Sequence, residues 1–257
     1  MNNKGINFFA VTLLSVLFAC GGDSTSSSDA EPLTTAKTGL TRVSIVHDEM
    51  TREFLLYVPE TYDGSTALPV VLNFHGFGGT SDYHMATADM RDLAEAEGFI
   101  LAYPQGSLLN GDPHWNTAPP GGDNKSTTDD FGFVEALLDG LENVYSVDTS
   151  RIYATGYSNG GDFSYALACY VSERIAGIAP VSGGMGDQPE NSCTVTHPTA
   201  VLVVNGTQDS DRPYEGIDGY LLPVEDALNF WTSVNNIEGE RTVTTIDENS
   251  KTVERFE

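Results

Sequence analysis

One short stretch constrains the fold more than any other. An apolar strand-like run, Ile152-Tyr153-Ala154, leads straight into Gly156-Tyr157-Ser158-Asn159-Gly160, and a helix-like segment carrying Phe163 and Leu167 leaves it. A bare Gly-x-Ser-x-Gly arises by chance in about one chain in ten of this length, so the pattern alone decides little. Its context decides more: strand, sharp turn and helix together describe a nucleophile elbow. The glycines are needed because side chains there would strike neighbouring backbone. Ser158 is then held at the C-terminal edge of a sheet, over the positive end of a helix. The alternative is a structural turn serine.

The surrounding pattern supplies the sheet. Thr41–Val46 and Arg52–Val58 alternate and are rich in β-branched and aromatic residues, which predicts an opening antiparallel hairpin. Leu68–Phe74 and Phe99–Tyr103 are apolar runs suited to strands buried on both faces. The spacing predicts a helix over Met85–Glu97, stopped by Gly98, and another after Asp129 or Asp130 with Phe133, Leu137, Leu138 and Leu141 on one face. Ile175–Val181 and Ala200–Val204 read as strands and Val224–Val234 as a helix. Thr242–Ile246 and Thr252–Phe256 alternate like a hairpin or edge strand. Leu108–Thr128 reads as a long Gly/Pro/Asn/Asp-rich loop. Strands and helices taking turns imply an α/β fold, a mostly parallel central sheet with helices on both faces.

Two further segments suit chemistry at Ser158. His75-Gly76-Phe77-Gly78-Gly79 directly follows a strand. A glycine-rich loop there can aim backbone N–H groups at a developing oxyanion, and the N–H groups of Phe77 and Asn159 are the expected donors. The run matches neither phosphate-binding glycine pattern. His75 is expected to pin this loop or to line the pocket. Asp209 sits a short loop past Ala200–Val204, on the edge of the sheet that carries Ser158, and is expected to orient a histidine; Asp211 is the fallback. The order Ser…Asp…His then requires a histidine after Asp209. The five histidines are 47, 75, 84, 114 and 197. His197 precedes its strand and so falls at the wrong edge. His84 and His114 could line the pocket. The expectation is that the catalytic histidine lies beyond the end of this chain, and the strand-like final stretch agrees with truncation. Trp115, in the long loop, either stacks on a substrate ring or packs the loop down; packing is favoured.

The N-terminus reads as an address. Lys4 precedes the apolar run Phe8–Ala19, which is too short to span a bilayer comfortably, and Cys20-Gly21-Gly22 follows. This predicts a signal peptide over 1–19, lipidation of Cys20, a flexible tether over 20–40 and one domain over 41–257. An ordinary secretory signal is the alternative. Cys169 and Cys193 remain as an even pair, a disulfide or two buried thiols. No metal site and no cofactor are indicated. A formal net charge of −25 disfavours nucleic acid, anionic lipid and polyanionic substrates. The chain is expected to be extracytoplasmic and monomeric, touching membrane only through its lipid anchor.

Several motifs together resemble a known family. They are Val70–Gly79 (VVLNFHGFGG), Tyr103-Pro104-Gln105-Gly106, Trp115-Asn116, Asp129–Val134 (DDFGFV), Arg151–Gly161 (RIYATGYSNGG), Ala179–Gly183 (APVSG), Asn205–Asp209 (NGTQD) and Pro213–Gly216 (PYEG). The chain resembles, over about 42–216, the secreted α/β-hydrolase esterases that include polyhydroxybutyrate depolymerase-like, feruloyl and acetylxylan esterases and LpqC-like lipoproteins. The resemblance implies an α/β-hydrolase fold, Ser158 as nucleophile, Asp209 as acid, and a Cys169–Cys193 disulfide. It also implies a histidine in a Gly-His-x-Trp-Pro-like segment that this sequence does not contain. Asn205 stands where that family usually has histidine. The implied substrates are plant cell-wall polysaccharide carrying feruloyl or acetyl esters, or short hydroxyalkanoate esters. The competing reading is a non-catalytic binding lipoprotein on the same scaffold.

Overall fold

The computed structural model describes residues 30–119, 121–187, 189, 193–239, 242–246 and 251–255. The opening hairpin forms as β2 (Gly39–His47) and β3 (Met50–Val58), antiparallel in full register from Gly39 opposite Val58 to His47 opposite Met50. A short β1 (Glu31–Pro32) runs parallel to β2. Then come β4 (Leu68–Phe74), β5 (Ile100–Pro104), β8 (Val147–Tyr157), β9 (Gly177–Val181) and β10 (Ala200–Val201). The eight strands lie in the order β1-β2-β3-β5-β4-β8-β9-β10, and β5, β4, β8, β9 and β10 are mutually parallel.

Alternate strand residues divide the core between two faces. Phe54, Leu56, Ile100 and Ala102 join the larger cluster under α3 (Asp130–Val144), α4 (Asn159–Tyr170) and α5 (Val224–Val234). Leu55, Leu101 and Tyr103 point the other way, with Ala94, Met85 and Met90 from the segment between β4 and β5. The parallel sheet with helices on both faces is therefore present, as the residue pattern predicts.

Four local features differ from expectation. The helix predicted over Met85–Glu97 is two, α1 (Ser81–Thr87) and α2 (Arg91–Glu97). The Tyr103 hydroxyl explains the break: it donates to Ala88 O at 2.7 Å and accepts the Met90 N–H at 3.0 Å. A side chain from β5 thus takes two backbone groups that a continuous helix would have to pair internally. Within the long loop, β6 (Ser107–Leu109) and β7 (Asp112–His114) form a hairpin about Asn110-Gly111, both at positive φ. An Asn-Gly pair is the residue signature of that two-residue turn. The strand expected over Ala200–Val204 is regular only for two residues, and beyond it the chain follows β9 through Leu202 and Val204 N–H bonds. Finally, the described part of the expected tether is docked on the domain. Besides the β1 pairing, Lys37 exchanges two backbone hydrogen bonds with the Tyr145 hydroxyl. The predicted signal segment 1–19 and Cys20 lie outside the described residues.

Cys169 of α4 is disulfide-bonded to Cys193, with Cα atoms 4.4 Å apart. β11 (Thr242–Ile246) and β12 (Lys251–Arg255) form a separate antiparallel pair. Among the described residues, no helix is long and apolar enough to cross a membrane.

His84 on α1 ties that helix to β4. Its Nε2–H donates to Asn73 Oδ1 at 2.7 Å, and burial pushes its pKa down to about 4. The native state therefore refuses a proton that the unfolded chain accepts below its ordinary 6.5. Stability present above 6.5 falls as pH drops and the loss is complete near pH 4, up to about 3 kcal/mol from this group. Urea unfolding at pH 7 and 4.5 should show a larger pH-dependent loss in the parent protein than in His84→Gln.

Candidate active site

The elbow is built by backbone pressed on backbone. Ser158 follows β8 directly and caps α4 with φ 54° and ψ −119°. A non-glycine residue holds such angles only where its surroundings impose them. A Cβ on Gly156 would lie 2.5 Å from the Gly160 carbonyl carbon and 2.7 Å from Phe74 O, and one on Gly160 would lie 2.6 Å from His75 O. Those two glycines let α4 start hard against the end of β4. Ser158 is anchored from both sides: its N–H donates to Val181 O at 2.9 Å, and its carbonyl accepts the Asp162 N–H at 2.9 Å.

The glycine-rich loop after β4 comes up against it. A Cβ on Gly76 would sit 3.4 Å from the Ser158 Cβ. The loop is held by Gly78 N–H to Pro113 O at 2.7 Å and Gly79 N–H to Gly76 O at 3.0 Å. The Phe77 N–H donates to no described residue, and the Asn159 N–H belongs to the first turn of α4, where no intrahelical acceptor exists. The Asn159 side chain is turned away and engaged: Oδ1 accepts the Trp115 N–H at 2.8 Å and Nδ2 donates to Trp115 O at 3.1 Å.

His75 and Trp115, each read as either structural packing or pocket lining, are both buried. His75 is 1% exposed. The Gly106 N–H donates to its Nε2 at 2.9 Å, so Nδ1 carries the proton and donates to Gly76 O at 2.8 Å. Burial lowers its pKa, with His114 adding to the effect. His75 is therefore a neutral brace for the loop. Trp115 is 2% exposed, donates its indole N–H to His75 O at 3.0 Å, and stacks on Phe163 with 9° between the planes. Its ring packs the long loop against α4 and offers no face to a substrate.

The other histidines are equally committed. His84 is buried against Asn73, and His114 donates Nδ1–H to Ser107 O and accepts from the Ser126 hydroxyl, both at 2.9 Å. Neither lines the site, contrary to the expectation from their positions in the loops. His47 bonds Asp129, and exposed His197 bonds Pro198 O. Among the described residues, no histidine ring nitrogen bonds Ser158.

Asp209 lies on the same edge of the sheet. The ends of β9 and the following strand are joined by Ser182 N–H to Val204 O at 2.8 Å. Asp209 Oδ1 accepts the N–H groups of Arg212 and Asp211, each at 2.9 Å. Those bonds, Arg212 first, lower its pKa, and the Ser182 hydroxyl adds to them. The fallback, Asp211, is exposed; its N–H donates to Asp209 and its carbonyl accepts from Arg212 Nη1 at 3.0 Å.

Residue patterns did not reveal Asp162 and Arg212. Asp162 stands on α4, four residues after Ser158, with its side chain 4% exposed. Arg212 clamps both its oxygens, through Nε at 3.0 and 3.2 Å and Nη2 at 2.6 Å, and the Gly184 N–H donates to Oδ1 at 2.8 Å. One carboxylate thus joins the nucleophile helix, the turn after β9 and the Asp209 loop. Asp130 plays a similar part deeper in: it pairs with Arg52 at 2.8 Å and accepts the Asn116 N–H at 2.9 Å. The helix cap beside it is Asp129, whose side chain accepts the Gly132 N–H.

The esterase family model matches residues 47–214, and the chain belongs to that family. It is 27% identical over 178 residues to a bifunctional acetylxylan esterase/xylanase of Neocallimastix patriciarum, covering 69% of this chain and 24% of the relative. It is 26% identical over 199 residues to feruloyl esterase B of Piromyces equi, covering 74% of this chain and 36% of the relative. The chain thus spans roughly a quarter to a third of these relatives. The acetyl xylan esterase of Aspergillus awamori shares the fold with a TM-score of 0.60 at 15% identity, over 83% of this chain and 91% of that one.

Removing one partner of the buried Asp162–Arg212 pair leaves a charge without compensation. Arg212→Met should lose about 3 kcal/mol of stability in urea titration, and Arg212→Lys clearly less.

Proposed function

We propose that this member of the esterase family is a serine carboxylic ester hydrolase in which Ser158 is the nucleophile. The observation that carries the reading is the elbow itself. Ser158 is held at φ 54° beside the Gly76 turn. Strain of that kind is kept where it serves chemistry. Ser158 Oγ attacks the ester carbonyl carbon as its proton passes to a base. The carbonyl π electrons move onto oxygen, and the N–H groups of Phe77 and Asn159 receive the resulting oxyanion. The C–O bond to the alcohol then breaks, and the base returns the proton to the departing alkoxide. Water repeats the sequence on the acyl-enzyme and releases the acid. Asp209 is the carboxylate that orients the base and stays ionised well into the acid range, because two backbone N–H groups favour its charged form.

The reading needs an imidazole as the base, and among the described residues no histidine bonds Ser158. A scaffold that binds without catalysis is the second reading, favoured by the lack of a Ser158–histidine hydrogen bond among the described residues. The substrate class is an acetyl or feruloyl ester on polysaccharide, or a short hydroxyalkanoate ester; the names of the two relatives support the acetyl and feruloyl esters. The chain works outside the cytoplasm, held by a lipid on Cys20. The Cys169–Cys193 disulfide fits such an oxidising compartment. Cys20→Ser should abolish incorporation of labelled palmitate and release the protein from the membrane fraction.

The full chain should hydrolyse p-nitrophenyl acetate slowly and faster on addition of imidazole. Ser158→Ala should bring both rates down to those of the protein-free solutions, imidazole included, and Asp209→Asn should leave imidazole-assisted acylation of Ser158 in place. A fluorophosphonate probe should label Ser158. Absence of labelling and of imidazole-stimulated hydrolysis would establish the binding reading instead.

A further inference from the structure

A second cavity runs along α4, apart from Ser158. It encloses about 270 Å³, near the lower end of the ligand-pocket range. Asp162, Tyr165, Ala166, Cys169 and Tyr170 line one wall. These positions recur at helical spacing, so a single face of α4 borders the cavity over its length. The near end, at Asp162, is about one helical turn from Ser158.

The Tyr165 side chain is the informative group. Its residue is 3% exposed, it borders the cavity, and its hydroxyl has no hydrogen-bond partner among the described residues. Burial raises its pKa, so the hydroxyl stays protonated and can both donate and accept. A hydroxyl that bonds no side chain and is reached from the cavity is left to water, and a ligand that displaces that water can take its place. Across from it, Tyr220 adds a half-exposed aromatic ring. Asp187 and Asp123 bring carboxylates that form no ion pair among the described residues. Arg212, next to the near end, is already neutralised by Asp162.

We propose that this cavity binds one neutral sugar ring of a polysaccharide, with Tyr165 and the two carboxylates taking its hydroxyl groups and Tyr220 taking its apolar face. The chemistry selects the class. Two unpaired carboxylates reject anions and accept from hydroxyl donors. A sugar ring carries hydroxyls on several sides, enough for three separate acceptors, whereas a phenolic acyl ring carries one. The site lies a turn beyond Ser158, which places a glycosyl unit next to the ester under attack. That orientation rests on the ester-hydrolase reading; binding of the sugar does not.

The test uses the full chain carrying Ser158→Ala, titrated calorimetrically with xylotriose and separately with methyl ferulate. Xylotriose should bind, and Tyr165→Phe, which removes only the oxygen, should weaken it about fivefold, the value of one hydrogen bond. Asp187→Asn, on a loop outside the core, should weaken it as well. Methyl ferulate should bind no differently in the presence of Tyr165→Phe. In active protein, Tyr165→Phe should raise KM for acetylated xylotriose about fivefold with kcat unchanged, and leave both constants for p-nitrophenyl acetate unaltered. Xylotriose that fails to bind, or that binds equally well to Tyr165→Phe and Asp187→Asn, overturns the proposal. Methyl ferulate binding that depends on Tyr165 overturns it too, in favour of an acyl pocket. If Ser158 proves inert while Tyr165-dependent xylotriose binding stands, only the ester-hydrolase reading fails.

Discussion

The architecture of the site depends on how closely the backbone of α4 approaches the end of β4. Gly156 and Gly160 have no room for a Cβ, because Phe74 O, His75 O and each other's backbone occupy it. That approach sets where α4 begins, which sets the backbone angles of Ser158. It also brings the turn at Gly76 against the Ser158 side chain. A methyl group at either glycine would push helix and sheet apart and relax the positive-φ backbone of Ser158.

Buried polar groups carry this geometry outward to the loops. Loops bring unpaired backbone groups toward the interior, and each must find a partner. Asn159 takes both backbone groups of Trp115, His75 takes the Gly106 N–H, and Asp130 takes the Asn116 N–H. Asp162 does the same for Gly184 while pairing with Arg212. Residues that look chemical by type are here structural by environment. His75 and His114 have both ring nitrogens engaged, so neither is available to move a proton. Tyr165 of α4, whose hydroxyl bonds no described residue, borders a cavity.

Much of the fold is legible in the residues because burial imposes periodicity. Leu68–Phe74 and Val224–Val234 form over the ranges their patterns predict. The split between α1 and α2 is not legible in this way, since Ala88–Met90 continues a helical pattern and only the Tyr103 hydroxyl interrupts it. The β6–β7 hairpin did carry a signal, Asn110-Gly111, which is short and easily lost in a polar loop. The docked segment around Lys37 carried none, because its partner, Tyr145, is 108 residues away.

Local chemistry in the chain determined the strand–turn–helix at Ser158, the glycine-rich loop after β4, and the acidic loop around Asp209. Each is a property of neighbours in sequence: which residues tolerate a sharp turn, and which alternate between core and solvent. Tertiary structure alone decided which polar side chains face one another. It buried His75 and Trp115, joined Asp162 to Arg212 across 50 residues, and set Tyr165 beside a cavity. Those outcomes depend on long-range packing, where a side chain's role follows from the distant groups that remove its water.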